Sequence, residues 1–83
     1  MTEKSRIDEI RRWLADSLGG LESEVGDEDP LLGDILDSMG VLTLAGHLEV
    51  AYGISIAAHE MDPANFGTLK ALSDFVARKI ERG

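Results

Sequence analysis

Eighty-three residues, with 43% hydrophobic and 29% charged side chains, describe one small globular domain (residues 1–83), too short for a dinucleotide-binding sheet or a barrel. The chain has no cysteine, which excludes disulfide scaffolds, thiolate zinc sites and cysteine nucleophiles and fits a reducing, cytoplasmic setting. Sixteen acids against eight Lys and Arg leave a formal charge of −8, so the surface repels a phosphate backbone, argues against nucleic-acid binding and favours a monomer.

The first predicted helix covers about residues 5–18. Ile7, Ile10, Leu14 and Leu18 recur at three- and four-residue steps, which lays one apolar stripe along a helix. Ser5 followed by Asp8 reads as its cap, Gly19-Gly20 as its stop, and Trp13 as a residue at the core edge. No helical period persists through residues 19–37. That stretch is a long acidic loop, broken by Pro30 and Gly33, whose Leu21, Val25, Leu31, Leu32, Ile35 and Leu36 are expected to reach into the core.

A second helix is predicted from Ser38 to Tyr52, closed by Gly53. Val41, Leu44, Ala45, Leu48, Ala51 and Tyr52 share one face, at 100° per residue. Met39, Thr43, Gly46, His47 and Val50 share the other, flanked by Leu42 and Glu49, and this face is poor in charge for a surface. Ile54-Ser55-Ile56 is extended; Asp62-Pro63 opens a one-turn helix over 62–66. Thr68 then caps a last helix, about 68–81, with Leu69, Leu72, Phe75, Val76 and Ile80 as its stripe and Arg78, Lys79 and Arg82 at its negative end. The fold class is all-α: a small four-helix bundle of three longer helices and one short one. No apolar run is long enough to span a membrane, and MTEKSRIDEIRR lacks the apolar core of a signal peptide.

Most routes to chemistry fail on spacing. Starting a calcium loop at Asp27 puts leucines at its fifth and sixth positions and Ser38 at its twelfth. His47 and His59 stand apart, without HExxH spacing, and read as surface histidines. No glycine-rich phosphate loop is present, no metal site can be assembled, and a catalytic pocket is hard to build in so small a bundle.

One group remains: Gly33-Asp34-Ile35-Leu36-Asp37-Ser38-Met39-Gly40. A serine follows an aspartate at the start of a helix, and small Gly40 leaves its hydroxyl open. The plain reading is a cap, since Ser and Asp are preferred there. However, position 41 holds Val and not the Glu or Gln of a capping box. A helix start also favours an attached phosphate through its free N–H groups and dipole.

The chain resembles the acyl and peptidyl carrier protein family. The resemblance is carried by Leu36-Asp37-Ser38-Met39-Gly40, by Glu49-x-x-Tyr52-Gly53-Ile54-x-Ile56, and by Phe66-Gly67-Thr68-Leu69 followed by Leu72 and Phe75. It implies a covalent 4′-phosphopantetheine arm on Ser38, placed by a phosphopantetheinyl transferase from coenzyme A, with Asp37 helping to hold magnesium in the transferase complex. It implies a carrier that is not an enzyme and that holds a biosynthetic intermediate as a thioester. A loading ligase or adenylation enzyme and a downstream synthase or transferase would be its further partners. The imported thiol suits a chain without cysteine, and a tether raises the cargo's effective concentration at each partner.

Where fatty-acid-type carriers show acids on the second helix, this chain has Gly40, Thr43 and Val50, and only Glu49 is acidic. The expected partner face is therefore Met39, Leu42, Thr43, Gly46, Glu49 and Val50, with the loop acids guiding approach. That pattern points to a stand-alone carrier in a dedicated aminoacyl, polyketide or peptide pathway and away from housekeeping fatty acid synthesis. Two alternatives stay open on residue type alone: these are ordinary surface apolar residues, or the chain is a carrier-fold interaction module that never bears the arm.

Overall fold

The computed structural model describes residues 3–18, 25–33 and 36–82; of Leu18 and Arg82 it describes the backbone alone. Helix α1 spans Glu3–Leu18, α2 Ser38–Tyr52, α3 Pro63–Phe66 and α4 Leu69–Arg82. The fold is an all-α bundle, and no strand occurs among the described residues. The Gly19-Gly20 stop, Leu21, Ile35 and the Leu18 side chain lie outside the described set.

Apolar spacing explains how α1 and α4 pack. Ile7, Ile10 and Leu14 of α1 are buried, as are Leu69, Leu72, Phe75 and Val76 of α4, and the two helices contact each other. Burying each such side chain is worth about 1.5–3 kcal/mol. Helix α1 begins two residues ahead of its expected cap, so Ser5 lies inside the helix and does not cap it. Ile80, at the far end of the α4 stripe, is 46% exposed and so is not the core residue its spacing suggested. Ser73, fully buried on α4, is satisfied by Arg6 of α1, whose Nε donates to its carbonyl (3.2 Å) and hydroxyl (3.1 Å). A buried hydroxyl without such a partner would be costly.

The acidic loop is fastened at several points. Val25, Leu31 and Leu36 enter the core, as their types suggest. Arg11 reaches from α1 to the Val25 carbonyl (2.8 Å), to Asp8 (2.7 Å) and to Asp27. The Asp27 carbonyl accepts the Lys70 N–H at 2.9 Å, and the Leu31 N–H donates to the Gly67 carbonyl at 2.8 Å. Leu36 N–H donates to Leu31 O (2.8 Å) and Gly33 N–H to Leu36 O (3.0 Å), so the chain bends at Gly33 and Leu36 comes back against Leu31. Gly33 makes that bend at φ 93°, in the region that glycine occupies without a Cβ clash.

Leu44, Ala45 and Leu48 bury α2, with Val41 and Tyr52 half-buried beside them. Ala51, expected in the core, is exposed: periodicity marks a face but not where its covering neighbours end. Gly53 closes the helix at φ 65°, its N–H donating to Glu49 O. A 3-10 turn at Ala58–Glu60 follows, which no sequence period announced. Ala57 N–H donates to Glu60 Oε1 (2.9 Å), and Lys79 of α4 holds both Glu60 oxygens (2.9 and 3.1 Å). Asp62 caps α3 by accepting the Asn65 N–H (3.0 Å), and Thr68 Oγ1 caps α4 by accepting that of Ala71 (3.0 Å).

Candidate functional site

The site is built where the folded-back loop meets the first turn of α2. The first helical hydrogen bond runs from Val41 N–H to Asp37 O at 2.9 Å. Asp37 Oδ1 accepts the Gly40 N–H at 2.7 Å, so Asp37 is the cap and Ser38 the first helical residue. That revises the reading of Ser38 as a cap. Ser38 is exposed, and its hydroxyl has no hydrogen bond among the described residues. Asp37 Oδ2 is likewise without one.

Gly40 has a different reason for being small than the one expected. A Cβ there would sit 3.3 Å from Asp37 Oδ1 and 3.2 Å from Leu36 Cδ2. The missing side chain makes room for the cap and for the buried leucine; it does not chiefly clear the serine. An open cleft of about 350 Å³ adjoins Ser38, lined by Leu32, Gly33, Leu36, Asp37, Ser38 and Val41.

The outer face of α2 carries Met39 (69% exposed), Leu42 (54%) and Val50 (87%). Thr43 is exposed, but its hydroxyl donates to Met39 O at 2.9 Å and so is already used. Gly46 is exposed, and a Cβ on it would meet nothing within 4 Å. Glu49, expected on this face, is half-buried; its Oε2 accepts the Ile56 N–H at 2.8 Å, tying the segment after Gly53 to α2. Its charge belongs to the fold first. The outer face of α2 therefore presents apolar and small groups, with half-buried Glu49 at its edge.

His47 also departs from expectation. It is half-buried and lies flat on Trp13 of α1, ring centroids 4.7 Å apart and planes 15° from parallel. One turn further on, the Tyr52 hydroxyl donates to Glu9 of α1 at 3.1 Å. Burial first, then the Glu9 carboxylate, pushes the Tyr52 hydroxyl up to about 12. Sequence reasoning missed both α1–α2 ties. Each joins residues more than thirty positions apart, and no single-helix period marks them. His59 is exposed, and no cluster of three metal-ligating side chains exists among the described residues. No described helix is long and apolar enough to cross a membrane.

Residues 8–76, which include Asp37, Ser38 and the whole of α2, match the family described as the phosphopantetheine attachment site. The chain belongs to that family. A search of curated proteins found no match. Members of the phosphopantetheine-attachment family carry a covalent 4′-phosphopantetheine and act as non-catalytic carriers of acyl groups, so the chain is a carrier and not an enzyme. Their partners are a phosphopantetheinyl transferase and biosynthetic enzymes. The residues present suit the group: an exposed, unbonded hydroxyl stands at a helix start whose N–H groups favour a phosphate, beside an open cleft.

Proposed function

We propose that Ser38 is the attachment residue, and that the chain serves a dedicated biosynthetic pathway rather than housekeeping fatty acid synthesis. The observation that carries the first part is the free Ser38 hydroxyl, presented by a helix start that Asp37 has already capped. In the modification, Ser38 Oγ forms a new P–O bond and the pyrophosphate P–O bond of coenzyme A breaks. Adenosine 3′,5′-bisphosphate leaves, and the hydroxyl proton passes to a base on the transferase. Asp37 holds the helix start with Oδ1 and offers Oδ2 to the transferase's magnesium ion. The arm supplies a terminal thiol that holds cargo as a thioester, which a chain without cysteine cannot provide.

The apolar outer face of α2, with Glu49 as the one acid at its edge, supports the second part. Met39, Leu42, Thr43, Gly46 and Val50 form the docking surface, and burial of Met39 and Leu42 gives its affinity. The exposed loop acids Glu28 and Asp29, beside an Asp27 already paired with Arg11, steer approach to basic partners, including the loading ligase or adenylation enzyme and the downstream synthase or transferase. The absence of cysteine supports a cytoplasmic setting. Incubation with coenzyme A, magnesium and a broad-specificity transferase should add about 340 Da to one serine. An adduct that persists in Ser38→Ala, or no adduct on the native chain, overturns the assignment.

A further inference from the structure

The cleft beside Ser38 has a wall of unequal character. Asp37, Ser38 and exposed Gly33 give it a polar rim, and Leu32, Leu36 and Val41 give it an apolar side. Leu36 is 2% exposed and forms the floor, whereas Leu32 and Val41 are half-buried and keep open surface. Three backbone hydrogen bonds, Leu36 to Leu31, Gly33 to Leu36 and Leu31 to Gly67, fix the loop side of this wall. The helix side is fixed by the Asp37 cap. A wall held in this way does not have to be ordered when something settles on it, which removes one of the usual costs of binding.

Resting on the assignment of the arm to Ser38, we propose that Leu32, Leu36 and Val41 form a dock for the branched dimethyl (pantoyl) segment of that arm. The position selects the segment. A phosphate on Ser38 Oγ belongs to the polar rim and the helix start, and the two methyls directly beyond it are the first apolar atoms the tether offers to the apolar wall. The cleft is open to solvent, so it offers a surface to the root of the arm and does not enclose the part beyond the dimethyl segment. The distal half, with its thiol, stays outside. The docked arm is thus shortened at its root while its reactive end remains accessible to partners, and release from the wall restores its full reach.

The test uses protein converted to the modified form, checked by intact mass, with ¹³C-labelled methyl groups in its Leu and Val residues. Nuclear Overhauser contacts are expected from the dimethyl protons to Leu32 and Val41 methyls. The same methyls should shift between unmodified and modified protein. Leu32→Ala and Val41→Ala, partly buried positions that pack against the core, should each weaken the dimethyl contacts to the other residue's methyls while the added mass and the helical circular dichroism remain. Failure of the mass to appear overturns attachment at Ser38 and this dock together. Full modification without contacts at Leu32 or Val41, or contacts made there only by an attached octanoyl chain, overturns the dock alone.

Discussion

Asp37 Oδ1 accepts the Gly40 N–H at 2.7 Å, and so the residue before the serine, not the serine, closes the start of α2. The two neighbours are thereby separable by substitution. Asp37→Ala should lower stability by about 1 kcal/mol, the usual worth of an N-cap. Ser38→Ala should change it by no more than about 0.5 kcal/mol, as for a surface position, while abolishing modification. Urea unfolding of both variants beside intact-mass measurement checks this; equal losses of stability would contradict the cap assignment.

Leu48 is fully buried and Val50, two residues on, is 87% exposed. Leu48→Ala should cost about 2–5 kcal/mol and leave little folded protein in so small a core. Val50→Ala should stay within about 0.5 kcal/mol. Thermal unfolding followed by circular dichroism distinguishes them.

The α2 face and the acidic loop should divide partner binding kinetically. Added salt should slow association with the transferase, because long-range steering by the loop acids is screened, and should leave dissociation nearly unchanged. Met39→Glu should instead speed dissociation about tenfold or more, as for removal of a buried apolar anchor worth upwards of ~1.4 kcal/mol. Surface plasmon resonance at two ionic strengths measures both. Gly46→Ala, with open space around its added methyl, should stabilise the free protein by up to ~1 kcal/mol through helix propensity.

Tyr52 sets the alkaline limit of stability. Its hydroxyl titrates near 12 in the folded chain, raised from 10.0. The folded state therefore holds a proton that the unfolded chain has released between those values, and stability falls as pH rises through that window. Below pH 10 this group adds no pH dependence. Tyr52→Phe should flatten the decline, measured as unfolding midpoint against pH from 9 to 12. At the acid end, the Ala57 N–H and then Lys79 hold the Glu60 carboxyl below its ordinary value. Stability from this group is present above that ordinary value and is lost as pH falls through the folded one; Glu60→Gln should remove that loss.

The bundle was largely legible because α1, α2 and α4 carry apolar residues at helical spacing and end on residues with fixed local roles. Gly53, Asp62-Pro63 and Thr68 each act through the backbone within four residues, and such signals survive in one dimension. The site was half legible. Asp37 and Ser38 are both good caps, so residue type could not say which one serves; only the register of the first helical hydrogen bond decides it. Glu49 looked like a free acid because its partner is a backbone N–H that carries no side-chain signature. His47, Ser73 and the cleft depend on which distant residues meet, and the exposure of Ile80 is a fact of packing that its helical spacing does not carry.

The ring pair that bridges α1 and α2 gives the molecule a built-in optical gauge. Trp13 is the sole indole in the chain, and the imidazole stacked on it sits on the same rod that presents Ser38. Any event that tilts this rod, whether loading of cargo or capture by another enzyme, changes the overlap of fluorophore and quencher. Emission from unlabelled protein would then follow the carrier's working cycle in real time.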